Sequence, residues 1–546
     1  MNLFKLKNTL GKETLVMMFI AILFLIEAYY TMQSGYFGGL DNKVKIATET
    51  LEEEEHKTII LGKITDRNGD TICDLSEVDF SVDNFGDFSG DEEEISDEDR
   101  KINNEMYFNI LGYIHATKES SSELFMKYYD VLFNTPSEED NTGNNIQLTL
   151  DRSLQKETYK VVKELVKDDT EESRASAVIM NAGTGEILAM VDFPTYDASK
   201  PFSEEEFAKF KSPFSHSYAD PPGSTFKVLT AMMLLENGYE DKTIKNTPYK
   251  PEDFREYVQG EDNPNDFIFN ANDDLKDDNI NYKQALQTSS NIFFSRAVLE
   301  IQKDNEDILE NFTNLVRRFH IGEDYAWDLD FGTVTSKWAL DDTKKEFDTK
   351  VSDKRKIADT AYGQNATAFT TINNAVVAAS VINNGEVKTP YMIKSITNFR
   401  DEEVDFEQIK EKEMAKKETE EEKEAEAKKF DEIIACLNTH NQSSTPVKPE
   451  IATEIKGALL DAAKTNYGFD GIGAKTGTAS KNDKAEGNTN WMISFSEINE
   501  HKYVVVINKT SCGAKTAGSM FPQYIKDLYD IIKEWDSSQI KNNNSQ

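Results

Sequence analysis

Two strand pairs at opposite ends of a long helical stretch constrain this fold more than any other feature. Ala175 to Met180 (ASAVIM) and Glu186 to Val191 (EILAMV) flank Asn181-Ala182-Gly183-Thr184-Gly185, which reads as a hairpin. Near the C-terminus, Trp491 to Phe495 and Tyr503 to Ile507 form a second strand pair. The last helix (PQYIKDLYDIIKEW) carries Tyr524, Ile525, Leu528, Ile531 and Ile532 on one face. Strands at both ends with helices between them predict an α+β domain, an antiparallel sheet covered by helices.

The chain has 546 residues, enough for two to four domains of ordinary size. Its formal charge is 61 − 99 = −38, which argues against nucleic-acid binding and against adsorption to anionic lipid through a basic face. Hydrophobic residues at 38% and aromatics at 10% are too many for a disordered acidic chain. The three cysteines (Cys73, Cys436, Cys512) form no CxxC, and the six histidines form no HExxH. No disulfide framework, metal site or cofactor is expected.

Leu15 to Ile26 (LVMMFIAILFLI) is continuously apolar, and the run continues through Tyr30 past Glu27. Lys5, Lys7 and Lys12 precede it, and no basic residue follows until Lys43. The positive-inside rule keeps residues 1–14 in the cytoplasm and exports the rest. The run is short for a span, but no good cleavage site follows it, so residues 15–31 are expected to be an uncleaved single-pass anchor in the cell membrane.

Beyond the anchor, Asn68-Gly69 predicts a tight hairpin turn, residues 81–105 an acidic surface loop, and residues 106–135 helix. Asn145 to Asp151 (NIQLTLD) reads as a strand, with Asp151 capping a helix that carries Leu154, Tyr159, Val162, Leu165 and Val166. Residues 401–430 are charge-dense and of mixed sign, expected as a solvated helix laced with i,i+4 pairs rather than a partner-binding arm. Residues 538–546 are a polar tail.

Three short motifs carry the chemistry. In Pro221-Pro222-Gly223-Ser224-Thr225-Phe226-Lys227, Ser224 starts an apolar helix and Lys227 follows one turn later on the same side. Gly223 permits the sharp entry, and Gly238 is placed to end the helix. Burial lowers a lysine pKa, and a neutral amine can take a serine proton. The plainer reading is a serine cap beside an exposed lysine. Ser289-Ser290-Asn291, within apolar helix, places Ser289 and Asn291 two apart. Lys475-Thr476-Gly477-Thr478 reads as strand, with Gly477 allowing a substrate close to the backbone. Each motif alone is weak. All three in order, each in a fitting context, are strong.

The ordered trio SxxK, SxN and KTG resembles that of penicillin-binding proteins and serine β-lactamases. Further stretches make the chain similar to class B penicillin-binding proteins, which are membrane-anchored peptidoglycan D,D-transpeptidases. Lys63 to Gly69 (KITDRNG), Leu148 to Asp151 (LTLD), and Gly183 to Met190 with Pro194 to Asp197 resemble that family's motifs. So does Tyr362-Gly363-Gln364 with Asn384-Gly385. The resemblance covers most of residues 60–535. It implies a pedestal domain at 45–150 and a transpeptidase domain at 151–537, with 401–430 as an insertion.

The resemblance also implies roles. Ser224 would be the nucleophile, Lys227 its general base, Ser289 a proton relay, and Asn291 a partner of Lys227 and of the substrate amide. Lys475 would favour the substrate carboxylate and depress Lys227 further. Thr476, Gly477 and Thr478 would bind that carboxylate and line the site. The backbone N–H groups of Ser224 and Thr478 would form the oxyanion hole. Peptidoglycan stem peptides would be substrates and β-lactams covalent inhibitors.

About 100 residues between anchor and transpeptidase segment leave no room for a glycosyltransferase domain. A SEDS-family (shape, elongation, division, sporulation) glycosyltransferase is the expected partner. Ala474 and Asn490 stand where the family commonly has Gly and His, and the pedestal is short. A D,D-carboxypeptidase using water as acceptor is the first alternative, and a non-catalytic scaffold or β-lactam sensor the second. A β-lactamase would need a deacylation base, and no ExxLN loop offers one.

Overall fold

The computed structural model describes residues 61–75, 95–113, 123–137, 142–168, 173–200, 210, 213–272, 274–322, 327–340, 351–364, 366–440, 442–480, 487–513 and 515–543. The expected cytoplasmic tail, the apolar run 15–31, residues 45–60 of the pedestal and residues 544–546 lie outside them. Among the described residues no helix is long and apolar enough to cross a membrane.

The two strand pairs read from the sequence merge into one five-stranded antiparallel sheet. β4 (Ala175–Asn181) pairs β5 (Ile187–Phe193), as the hairpin signal requires. β7 (Ile472–Ser480), β8 (Asn488–Ile498) and β9 (His501–Lys509) form a meander, and β9 closes the sheet against β4 with Tyr503 opposite Asn181 and Lys509 opposite Ala175. Helices cover both faces, so the inner strands are apolar almost without alternation. Val504 to Ile507 and Ala177 to Met180 are all buried. α5 (Thr371–Ile382) is wholly buried and packs on β4, β8 and β9. α2 (Arg152–Val166) packs on β5, and α9 (Pro522–Asn543) on β8, β9 and α2. Asp151 caps α2 as read, its carboxylate accepting from the Ser153 and Leu154 N–H groups at 3.1 Å each.

A second, four-stranded sheet comes from distant parts of the chain. β1 (Lys63–Thr65) and β2 (Thr71–Asp74) flank the Asn68-Gly69 turn, where Gly69 takes φ 92°. The Asp66 carboxylate closes the turn by accepting from the Asn68 and Asp70 N–H groups at 2.7 and 3.0 Å. β3 (Asn145–Leu148) pairs β1 in parallel, and β6 (Ile393–Thr397) adds antiparallel to β3. No sequence signal tied 393–397 to this sheet.

The acidic loop expected over 81–105 requires correction. Residues 97–105 belong to α1 (Asp97–Leu111), while residues 81–94 lie outside the described part. Ser96 caps α1, and Asp97, Glu98 and Asp99 fill its first turn. Carboxylates there offset the helix dipole, so this acidity marks a helix start. After α1, helix resumes as Glu123–Lys127 and Tyr129–Leu132.

The charged segment also departs from expectation. In place of one solvated helix it forms two, α6 (Phe406–Ala415) and α7 (Glu420–Asn438), which pack on each other. Thr419 and Glu422 make a capping box at the start of α7. Helical ion pairs lace the segment, Lys428–Glu432 at the expected i,i+4 spacing and Lys416–Glu413 and Lys423–Glu420 at i,i+3. Ile409, Phe430, Ile433 and Cys436 are buried, and so is Glu426, held by Lys417 and Lys429 at 3.1 and 2.9 Å. These few apolar positions are spaced widely enough among charges that composition hid them.

Candidate active site

The three motifs converge on one cluster. Gly223–Phe226 forms a 3-10 turn that runs directly into α3 (Lys227–Glu236). Lys227 to Leu234 are all buried, as an all-round apolar helix demands. α3 ends at Glu236, and Gly238 follows at φ 76°. One helical turn brings Lys227 Nζ to 2.8 Å from Ser224 Oγ. Ser224 is half-buried, whereas Lys227 is fully buried.

Ser289 lies between a short helix (Tyr282–Gln287) and α4 (Asn291–Asp304), in the left-handed region at φ 55°. That conformation costs about 1–3 kcal/mol and marks a constrained position. Here its backbone carbonyl accepts from Lys227 Nζ at 2.6 Å, and its hydroxyl lies 3.3 Å from the same atom. Asn291 Oδ1 accepts from Lys227 Nζ at 2.7 Å, while Asn291 Nδ2 donates to the Phe269 carbonyl at 2.9 Å. Ser290 points away from the cluster, capping α4 through the Phe293 N–H and bonding Asn246 and Asn270.

Lys475, on β7, donates to Ser289 Oγ at 2.8 Å and to the Thr476 carbonyl at 2.9 Å. Ser289 therefore bridges the two lysines. Burial holds Lys227 well below its ordinary pKa, and the Lys475 charge lowers it further. Burial pulls Lys475 down to about 7. An amine whose charged form burial disfavours, 2.8 Å from a serine hydroxyl, is arranged to accept its proton.

Gly477 differs from expectation in what it lets approach. A Cβ there would meet the Pro222 carbonyl oxygen at 2.4 Å and the Thr225 N at 3.0 Å. The missing side chain seats β7 against the serine turn, so the close neighbour is the protein's own backbone. Gly223, at φ 55°, has the reciprocal role, since a Cβ on it would lie 2.9 Å from the Thr478 carbonyl. The turn is anchored further by Trp491 Nε1 donating to the Pro221 carbonyl at 2.9 Å, and by Thr489 Oγ1 donating to Asp220 at 2.6 Å.

Four further residues frame the site; Tyr362 belongs to a stretch already noted, and Tyr467, Asn374 and Ala517 were not singled out in the sequence. Tyr467, the last residue of α8 (Pro449–Tyr467), places its hydroxyl 2.9 Å from Thr476 Oγ1. The Tyr362 ring lies 5.9 Å from Lys227 Nζ, its hydroxyl bonded to Asp359. Asn374 Oδ1 accepts from Thr225 Oγ1 at 3.1 Å. Ala517 N–H donates to Thr478 Oγ1 at 3.2 Å. Of the three not singled out, only Tyr467 left a usable signal, because Gly468 marks a helix end a few residues before the lysine motif.

A serine hydroxyl on a tight turn and a desolvated lysine at the start of the buried helix that follows, beside a sheet edge, form an arrangement able to carry serine acyl transfer. The family model for the penicillin binding protein transpeptidase domain matches residues 175–528, and the chain belongs to that family. Penicillin-binding protein 3 of Bacillus subtilis is 27% identical over 268 residues, covering 46% of this chain and 35% of that protein. Peptidoglycan D,D-transpeptidase FtsI of Escherichia coli is 28% identical over 126 residues, 23% of this chain and 21% of that one. The chain thus matches about a third or less of the length of these relatives. Penicillin-binding protein A from Mycobacterium tuberculosis, solved as a ceftriaxone acyl-enzyme complex, superposes with a TM-score of 0.60 at 17% identity, over 87% of this chain and 98% of that one. Penicillin-binding protein 3 from the same organism, complexed with ampicillin, gives 0.61 at 16%, over 88% and 96%. At these identities the superpositions establish the fold.

Proposed function

We propose that the protein is a class B peptidoglycan D,D-transpeptidase. The observation that carries this reading is the buried Lys227 amine, held at once by Ser224, Ser289 and Asn291. Ser224 Oγ attacks the carbonyl carbon of the penultimate D-Ala, and its proton passes to Lys227 Nζ. The carbonyl oxygen becomes an oxyanion, bound by the Ser224 and Thr478 N–H groups. As the intermediate collapses, the C–N bond breaks. The leaving D-Ala amine takes the proton from Lys227 through the Ser289 hydroxyl, and an ester remains on Ser224. The amine of a neighbouring stem peptide then attacks this ester. Its proton returns by the same route, an amide cross-link forms, and Ser224 is restored. Lys475, Thr476 and Thr478 bind the donor's terminal carboxylate. A β-lactam acylates Ser224 as a mimic of that donor.

Residues 1–14 are the cytoplasmic tail, 15–31 the membrane anchor, 45–150 the pedestal and 151–537 the transpeptidase domain, with 401–430 inserted and 538–546 a polar tail. The catalytic domain then faces the cell exterior. A SEDS-family glycosyltransferase, contacted through anchor and pedestal, supplies the glycan strands. The basic residues before the apolar run and the family resemblance support this arrangement.

The test uses the full chain in detergent with a D-Ala-D-Ala stem-peptide donor and an amine acceptor. Release of D-Ala with a cross-linked product, absent in Ser224→Ala, is expected. Release of D-Ala with hydrolysed donor alone would make it a carboxypeptidase.

A further inference from the structure

Thr476 and Thr478 stand two apart on β7, so their side chains lie on the same face of the strand. Both hydroxyls are approached by groups from elsewhere in the chain. The Ala517 N–H meets Thr478 Oγ1 at 3.2 Å. A backbone amide only donates, so this contact fills an acceptor position and leaves the Thr478 proton free to turn elsewhere. Thr476 has the same kind of neighbour in Tyr467, whose hydroxyl lies 2.9 Å away. Between two hydroxyls either could donate, but the phenol is the stronger acid and so the better donor. Burial raises its pKa further, which keeps it protonated at neutral pH.

Tyr467 is also held firmly. It ends α8, where Gly468 turns the chain at φ 68°, and its ring packs on Phe469 with centroids 5.6 Å apart. The neighbouring Asn466 Nδ2 donates to the Gln287 carbonyl at 2.8 Å, tying this helix end to the segment that carries Ser289.

We propose that Tyr467 is a positioning residue that donates to Thr476 Oγ1 and so commits the Thr476 proton to the carboxylate of the bound ligand. The proposal rests on the transpeptidase reading and names the group that tunes carboxylate recognition in that site. An anion at Thr476 accepts only, so Thr476 must donate to it, and the Tyr467 bond polarises the hydroxyl in that direction. Thr478 receives the same preparation from Ala517. Two hydroxyls with their acceptor sides occupied face one anionic position beside Lys475.

The test compares acylation of the wild type and Tyr467→Phe, which keeps the ring and its packing, by benzylpenicillin and by benzylpenicillin methyl ester. The free acid should lose about 3- to 10-fold in second-order acylation rate, the effect of one neutral hydrogen bond. The loss should fall on the dissociation constant of the pre-covalent complex. The ester should be acylated at the same rate by both proteins, and on a Thr476→Val background the Phe substitution should add nothing. Equal losses for acid and ester, or no loss for either, would overturn the proposal. If neither compound acylates the wild type, the transpeptidase reading itself fails, an outcome distinct from a failure of Tyr467.

Discussion

Gly223 N–H donates to the Gly363 carbonyl at 2.9 Å, joining the serine turn to a segment far along the chain. Gly363 sits at φ 82°, and a Cβ on it would come 1.9 Å from the Gly223 carbonyl oxygen and 2.7 Å from Phe226 Cβ. Gly363 therefore has no room for a side chain against the serine turn. Gly363→Ala should displace the Ser224 turn and cut the acylation rate by about a hundredfold, as a misplacement near 1 Å does. Stopped-flow acylation with a chromogenic cephalosporin reads this, and a wild-type rate would show that the turn tolerates the shift.

In the proposed mechanism the Lys475 cation should set the alkaline limit of the reaction. Burial lowers it to about 7, so its cation is present below that pH and is lost as pH rises through it. Acylation by carboxylate-bearing β-lactams should decline on the alkaline side of neutrality. Lys227 must be neutral to act and is depressed well below its ordinary value, so its protonation limits the acid side. Lys475→Arg keeps a charge at all working pH values and should remove the alkaline fall while lowering the rate overall. A pH profile of second-order acylation that falls equally in wild type and variant would contradict this.

Trp491 is fully buried and donates from Nε1 to the Pro221 carbonyl. Trp491→Phe keeps an aromatic ring in the core but leaves that carbonyl without this donor. The expected cost is about 1–3 kcal/mol, read from urea denaturation monitored by circular dichroism. An unchanged midpoint would mean that the carbonyl finds another donor.

The insertion should be separable from the chemistry. Thr419→Ala removes the capping box of α7, a loss of about 1 kcal/mol confined to that helix. Hydrogen exchange over residues 420–438 should quicken while the acylation rate holds. A slower acylation would tie the helical pair to the active site.

Short-range chemistry was legible in the sequence. Asp151 as a cap, Asn68-Gly69 as a turn and Lys227 one turn beyond Ser224 are rules of a few residues, and each has its expected place. The joining of β9 to β4 follows from apolar runs that need each other's edges. Contacts made only on folding left no local mark. The strand Ile393–Thr397 joins a sheet begun at Lys63, and Asn374 reaches Thr225 from a helix with no motif. Gly477 was read as room for substrate, but the space it leaves is filled by the Pro222–Thr225 turn. Charge density misled at 97–105, read as loop, because carboxylates favour helix starts; at 401–430 helix was expected and found, as two helices with a small buried seam in place of one.

The most direct test of the account is intact-mass analysis of the full chain in detergent after exposure to benzylpenicillin. A gain of one penicillin per chain is expected, located by peptide mapping on Ser224 and absent in Ser224→Ala. A folded wild-type chain that gains no mass, or carries the adduct on another residue, would contradict it.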